Sequence, residues 1–76
     1  MQLVFTIEPF VDGEPGPRVD AAVDAAGPHA DAVEVGPFGT SCSTDAARMP
    51  QLVAAVVAAA LEHGATGLSL RVEDGG

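Results

Sequence analysis

Apolar and polar residues alternate in two stretches of the chain, from residue 2 to residue 8 and from residue 66 to residue 73. Because successive side chains of a β-strand point to opposite faces of the sheet, this period of two predicts a half-buried strand in each stretch. The apolar positions on the buried side would be Leu3, Phe5, Ile7, Leu68, Leu70 and Val72.

A third stretch, near the middle of the chain, predicts a β-hairpin. Val33 and Val35 alternate with Glu34, and a run rich in hydroxyl side chains extends from residue 40 to residue 44. Between them lies the sequence GPFG, whose glycines tolerate unusual φ angles and whose proline fixes its own. We therefore predict one strand over residues 32–36 and a second over residues 39–44.

Two helices are predicted, one on each side of the hairpin. In the first, Pro17 suits the opening turn, and the apolar spacing i, i+3, i+4, i+7 extends to Ala26. Gly27 and Pro28 should end this helix, with Gly27 in the left-handed conformation. The second has Pro50 in its first turn and Gly64 as its cap. Its apolar stripe, expected to be buried, is Leu52, Val53, Val56, Val57, Ala60 and Leu61.

The order β-α-β-β-α-β predicts one domain spanning residues 1–76. With right-handed crossovers it predicts an α+β, ferredoxin-like βαββαβ fold, a four-stranded antiparallel sheet with both helices on one face. The other face would be polar, and it would be either solvated or a wet interface between subunits. Its side chains are Thr6, Glu8, Glu34, Ser41, Ser43, Ser69 and Arg71.

Length and cysteine content favour self-association. A domain of 76 residues buries only about 60% of the surface that its unfolded chain exposes. Cys42 is the single cysteine, so the chain has no internal disulfide, and no Cys/His cluster predicts structural zinc. We therefore expect a homodimer or a homotetramer.

The net charge of −8, with only three basic residues, argues against nucleic-acid binding, since little can neutralise phosphates. The acidity serves solubility or attracts a cationic ligand. The longest apolar run, residues 52–61, is too short to span a membrane, and no basic segment precedes an apolar one at the N-terminus. We expect a cytoplasmic protein.

Three segments together resemble the thiamine-binding protein family. They are residues 5–10 (FTIEPF), 33–40 (VEVGPFGT) and 64–70 (GATGLSL), and the Gly-Pro-Phe-Gly-Thr hairpin is the most specific of them. The family consists of small ferredoxin-like proteins related to a two-domain thiamine/hydroxymethylpyrimidine binder. The resemblance implies a non-catalytic domain that binds thiamine or its pyrimidine precursor hydroxymethylpyrimidine, needs no cofactor, and assembles into dimers or tetramers through its sheets.

The chain departs from that family directly after the hairpin. The family usually continues with an acidic stretch similar to Glu-Gly-Asp, whereas residues 41–45 read SCSTD. Only Asp45 stands where that acidity would be.

The candidate ligand-binding residues are Thr6, Glu8, Phe38, Thr40 and Ser41. Hydroxyl groups donate to and accept from an aminopyrimidine, and a carboxylate offsets the charge of a thiazolium ring. Phe38 would be either an aromatic wall for the ligand or a core side chain at the tip of the hairpin. The alternative for the polar residues is the ordinary surface of an antiparallel sheet.

Other functions have weaker support in the sequence. His29, Cys42 and His63 lie on separate elements, so we predict no metal site, and we expect Cys42 to be a small buried hydrophobe in strand three. No serine lies in a nucleophile elbow, and the Arg–Asn pair of an acylphosphatase is impossible without Asn, so we predict no enzymatic activity.

Two non-enzymatic alternatives remain open. The first strand and the Gly75-Gly76 end resemble the ubiquitin-like sulfur carriers, although that β-grasp fold requires a hairpin before its main helix. The other alternative is a self-associating module without a small ligand.

Overall fold

The computed structural model describes residues 1–8, 16–36 and 39–74. It confirms an α+β architecture with a four-stranded antiparallel sheet and two helices. The elements in chain order are β1 (Gln2–Glu8), α1 (Gly16–Ala26), a 3-10 turn (Gly27–His29), β2 (Ala32–Gly36), β3 (Gly39–Ser43), α2 (Met49–Glu62) and β4 (Gly67–Glu73). Most of the predicted loop between β1 and α1 lies outside the described residues, as does Phe38.

The strands are ordered β2-β3-β1-β4 across the sheet. Each neighbouring pair is antiparallel. It follows that β1 and β2 are parallel with β3 between them, and that β3 and β4 are parallel with β1 between them. The two β-α-β units of the chain are therefore both split by a strand of the other unit, which places β1 and β3 at the centre and β2 and β4 at the edges.

Both helices pack on the same side of this sheet and share one core. The side chains of Leu3, Phe5 and Ile7 point toward the helices and are at most 5% exposed. The remaining members of the core come from α1, β3 and α2, and they are Ala22, Ala26, Cys42, Met49, Leu52, Val56 and Ala60. Cys42 is thus a small buried hydrophobe in β3, as predicted.

Helix α2 is capped at both ends by local sequence signals. At its N-terminal end the Asp45 carbonyl accepts the Met49 N–H at 3.1 Å, and the Asp45 carboxylate accepts the Arg48 backbone N–H at 2.9 Å. Asp45 is therefore the residue that satisfies the first free amides of the helix. Pro50 lies in the first turn, as predicted.

The C-terminal end of α2 is a Schellman motif. Gly64 has a φ of +85°, the left-handed conformation predicted for it. The Ala65 N–H donates to Ala60 O at 3.0 Å, and the Gly64 N–H donates to Leu61 O at 3.2 Å. These two bonds satisfy carbonyl groups that the end of the helix would otherwise leave free.

The left-handed conformation predicted for Gly27 is wrong. Gly27 does not have a positive φ, and it begins a 3-10 turn whose closing bond runs from the Ala30 N–H to Gly27 O at 3.4 Å. Pro28 supplies the physical reason, because it has no N–H for the α-helical ladder but its fixed φ suits a right-handed turn. The chain therefore tightens at this point instead of reversing its handedness.

The predicted stripe of α2 is only partly buried. Leu52 and Val56 are completely buried, but Val57 is half-buried and Leu61 is 63% exposed. The buried set also includes Met49 and is centred on positions 49, 52, 56, 59 and 60. The prediction that Val57 is fully buried is therefore wrong, because the stripe was read as wider than the face that contacts the sheet.

The helix-facing side of β4 is also less buried than predicted. Leu70 and Val72 point toward the helix side, since they pair with Phe5 and Leu3, but they are 36% and 48% exposed. Of the apolar residues of β4 that face the helices, Leu68 packs against the core. The other two lie at the edge of the sheet, where no strand lies beyond β4 among the residues that the structure describes.

Candidate functional site

The outer face of the sheet, defined by the side chains that point away from the helices, holds most of the predicted ligand-binding residues. Thr6 and Glu8 of β1 are exposed on this face, and Ser41 of β3 is half-buried on it. Ser69 of β4 lies directly opposite Thr6. The sheet register therefore places two hydroxyl groups side by side, with the carboxylate of Glu8 two residues further along β1.

Glu8 is positioned by the absence of a side chain on the neighbouring strand. It pairs with Gly67, and a Cβ atom on Gly67 would lie only 2.8 Å from Glu8 Oε2. The Glu8 carboxylate therefore lies over the Gly67 backbone. The main chain of β1 is fixed at the same point, because Glu8 O accepts the Thr66 N–H at 2.8 Å.

The start of β3 approaches β1 closely beside Thr6. A Cβ atom on Gly39 would lie 3.1 Å from Thr6 Cγ2 and 3.1 Å from Phe5 O. Gly39 also has a φ of +155°, which L side chains rarely adopt. A glycine is required here for the hairpin to end against β1, and this brings the end of the predicted GPFGT motif next to Thr6.

Thr40 does not lie on the outer face with the other candidates. It pairs with Phe5 and Val35, points toward the helices, and is only 3% exposed. The physical reason is the period of two, since consecutive residues of a strand cannot share a face and Ser41 occupies the outer one. Phe38 lies outside the described residues, so its predicted role stays a prediction.

Ser69 was not among the site residues predicted from the sequence, although its position on the polar face was. Its relation to Thr6 depends on the register between β1 and β4, which are separated by almost the whole chain. The alternation in each strand fixes which residues share a face but leaves the pairing between the strands open.

Asp45, the one acidic residue in the stretch after the hairpin, is engaged in the fold. Arg48 Nε donates to Asp45 Oδ2 at 2.9 Å, and Arg48 Nη2 donates to Asp31 Oδ1 at 2.8 Å. The backbone amide of Arg48, followed by its guanidinium, holds the pKa of Asp45 below its usual value. The two carboxylates in turn raise the pKa of Arg48, Asp31 more than Asp45. Asp45 thus caps α2 and joins the start of β2 to the end of β3.

The three potential metal ligands have structural surroundings. Cys42 is buried, which raises the pKa of its thiol. His63 Nδ1 lies 2.9 Å from Ala59 O at the end of α2, and the backbone carbonyl of His29 accepts the Thr44 hydroxyl at 2.9 Å. Within residues 1–8, 16–36 and 39–74, no three His, Cys, Asp or Glu side chains are grouped so that they could hold a metal ion.

Over the same described part of the chain, neither helix has the length and apolar character needed to cross a membrane. A scan of protein-family models finds no match to this chain, and a search of curated proteins finds no significant match. The chemistry of the outer face therefore has to be argued from its geometry and from the sequence motifs.

Proposed function

We propose that the protein binds thiamine or hydroxymethylpyrimidine reversibly and without turnover, on the outer face of the sheet. The observation that carries this proposal is the cluster of Thr6, Ser69 and Glu8. The sequence motifs FTIEPF, VEVGPFGT and GATGLSL support the same ligand class, since they flank these residues.

The cluster offers the groups that such a ligand requires. Two adjacent hydroxyls can each donate and accept, which suits the ring nitrogens and the amino group of an aminopyrimidine. The Glu8 carboxylate favours a cationic ring, and the net charge of −8 attracts a cation from solution. The acidic contribution in this chain comes from Glu8, since Asp45 is paired with Arg48.

We infer that the fold is ferredoxin-like. The β-α-β-β-α-β order and the two split β-α-β units support this assignment. The sulfur-carrier alternative has less support. Its β-grasp fold requires a hairpin before the main helix, whereas a single strand precedes α1 among the described residues, and the longer helix α2 follows β3.

We infer that the binding site is completed by another subunit. Small-molecule sites are usually concave, whereas one face of a four-stranded sheet is open. A homodimer or homotetramer in which a second copy covers the ligand would supply the missing wall. The acidic composition and the lone buried thiol of Cys42 support a cytoplasmic location, where thiols stay reduced.

Calorimetric titration of the full chain with thiamine, and separately with hydroxymethylpyrimidine, tests the proposal. We expect Thr6→Val and Glu8→Gln each to weaken binding about tenfold, a loss of about 1.4 kcal/mol that corresponds to one good polar contact. Glu34→Gln is the matched control, because it removes the same charge from the outer face at the far edge of the sheet.

The binding result and the fold are measured separately. Both substituted residues are exposed, so the far-ultraviolet circular dichroism of the variants should equal that of the parent. Absence of heat and of any thermal shift with both ligands at millimolar concentration would refute the proposal. A self-associating module without a small ligand would then be the better account.

A further inference from the structure

The edge strand β4 leaves one side of its backbone without a strand partner among the residues that the structure describes. Its seven residues all pair with β1 on the other side. Free N–H and C=O groups along such an edge are a template for a further strand, and natural proteins usually protect long edges with charge, proline or a covering element.

The helix-facing side of β4 continues the core to this edge. Phe5 and Leu3 are almost completely buried, and their partners Leu70 and Val72 are 36% and 48% exposed. A strand added at the edge would therefore gain apolar contacts as well as backbone hydrogen bonds.

We propose that this edge pairs with the same edge of a second copy of the chain, antiparallel and about a two-fold axis at Leu70. The two sheets would then form one continuous sheet of eight strands. The pattern of β4 is self-complementary in this register, since a closed dimer presents the same surface twice. The helix-facing pairs would be Leu70 with Leu70 and Leu68 with Val72, and the outer pairs would be Ser69 with Arg71 and Gly67 with Glu73.

Charge selects β4 over the other edge of the sheet. Strand β4 carries one Arg and one Glu, whose side chains are paired, so it is neutral within a chain of net charge −8. The middle residue of β2 is Glu34, and a two-fold axis there would set two carboxylates directly opposite each other. Like charges at directly opposed positions destabilise a strand pair, and β2 is therefore protected where β4 is not.

Sedimentation velocity of the full chain across a dilution series tests the proposal. We expect a monomer–dimer equilibrium that shifts toward dimer at higher ionic strength, because salt screens the repulsion between two acidic chains. Leu70→Lys should abolish the dimer and leave the circular dichroism unchanged. The matched control is Val35→Lys, on the helix-facing side of β2, where Val35 is 55% exposed, and it should remain dimeric.

Single-cysteine variants test the register. The native Cys42 is fully buried, so the parent provides a background that should not crosslink. Under mild oxidation Leu70→Cys should form a disulfide-linked dimer, because the two substituted positions face each other at the axis. Val72→Cys should not, although Val72 is the more exposed, because its two copies would be four residues apart along the strands, about 13 Å.

Three results would overturn the proposal. One is a parent chain that stays monomeric at every concentration. Another is a dimer that Val35→Lys dissociates and Leu70→Lys does not, which would assign the contact to β2. The last is a dimer that neither variant affects, which would assign it to the outer face. A disulfide formed by Val72→Cys and not by Leu70→Cys would overturn the register.

Discussion

Strands β1 and β4 have the same length and the same alternation, and they pair with each other along all seven residues. Their apolar side chains nevertheless have very different surroundings. Phe5 is 1% exposed, whereas its partner Leu70 is 36% exposed. The difference is that β1 has a strand on both sides and β4 has one on a single side. Alternation therefore determines which face a side chain occupies, and the position of the strand in the sheet determines how deeply that face is buried.

The same contrast occurs between neighbouring residues of α2. Val56 is completely buried, and Val57 is half-buried. Because adjacent residues on a helix are about 100° apart, only one of the two valines can point directly at the sheet. Centre and periphery are thus distinguished within a single turn, and substitutions can test that distinction.

The largest expected effect is that of a carboxylate in the centre of the core. Val56→Asp would bury an unpaired charge, at a cost of several kcal/mol, which is comparable to the whole stability of a small domain. Val57→Asp can direct the same group toward solvent and should fold with reduced stability. Urea unfolding followed by circular dichroism measures both, and equal stability of the two variants would show that α2 is rotated from the orientation described.

The comparison of β1 with β4 is tested by matched truncations. Phe5→Ala leaves a cavity in the core and should cost about 3–5 kcal/mol of unfolding free energy. Leu70→Ala removes a partly exposed side chain and should cost about 1 kcal/mol or less. Measurement at low protein concentration keeps any association through β4 out of the comparison. A Leu70→Ala variant as destabilised as Phe5→Ala would contradict the edge position of β4.

Two glycines extend the comparison from side chains to the backbone. Gly39 lies against the β1 backbone with a φ of +155°, so Gly39→Ala should cost on the order of 1–3 kcal/mol. A Cβ on Gly67 of β4 would meet the end of the flexible Glu8 side chain, which can move aside. Gly67→Ala should therefore change stability by less than about 0.5 kcal/mol. Thermal unfolding distinguishes the two, and a larger loss for Gly67→Ala would contradict this account.

The smallest effect concerns the opposite edge of the sheet, where Asp45 and Arg48 tie the start of β2 to α2 through Asp31. The pKa of Asp45 is lowered in the folded chain, so its contribution is present above the unfolded value near 3.8 and is lost as the pH falls through the folded pKa. Asp45→Asn keeps the capping oxygen and removes the titration. The parent should therefore lose slightly more stability than Asp45→Asn between pH 5 and pH 2, as measured by urea unfolding.

An equal loss of stability in the two proteins would mean that the ion pair contributes nothing to folding. Both partners are exposed, so high salt should reduce the difference between them. Repeating the pH series at high ionic strength separates this charge effect from helix capping, which the asparagine retains.

The sequence by itself determined the secondary structure and which residues share a face. The bounds of β1 and β2 agree with the prediction, because alternation and the adjacent Pro9 and Gly36 are local signals. The left-handed Gly64 was also predictable from the end of an apolar helical stripe. Of the candidate site, the alternation correctly assigned Thr6 and Glu8 to the outer face. It also contained the signal that separates Thr40 from Ser41, since consecutive strand residues point in opposite directions.

Only the tertiary structure decided which strands are central, which of two adjacent valines is buried, and that Ser69 lies beside Thr6. Each of these depends on contacts between segments far apart in the chain, and a local period carries no information about its partner. Gly27 and Asp45 belong to the same group. A Gly-Pro pair can end a helix or tighten it, and an aspartate can bind a ligand or cap a helix. The choice in each case depended on where the neighbouring donors lay once the helices had packed on the sheet.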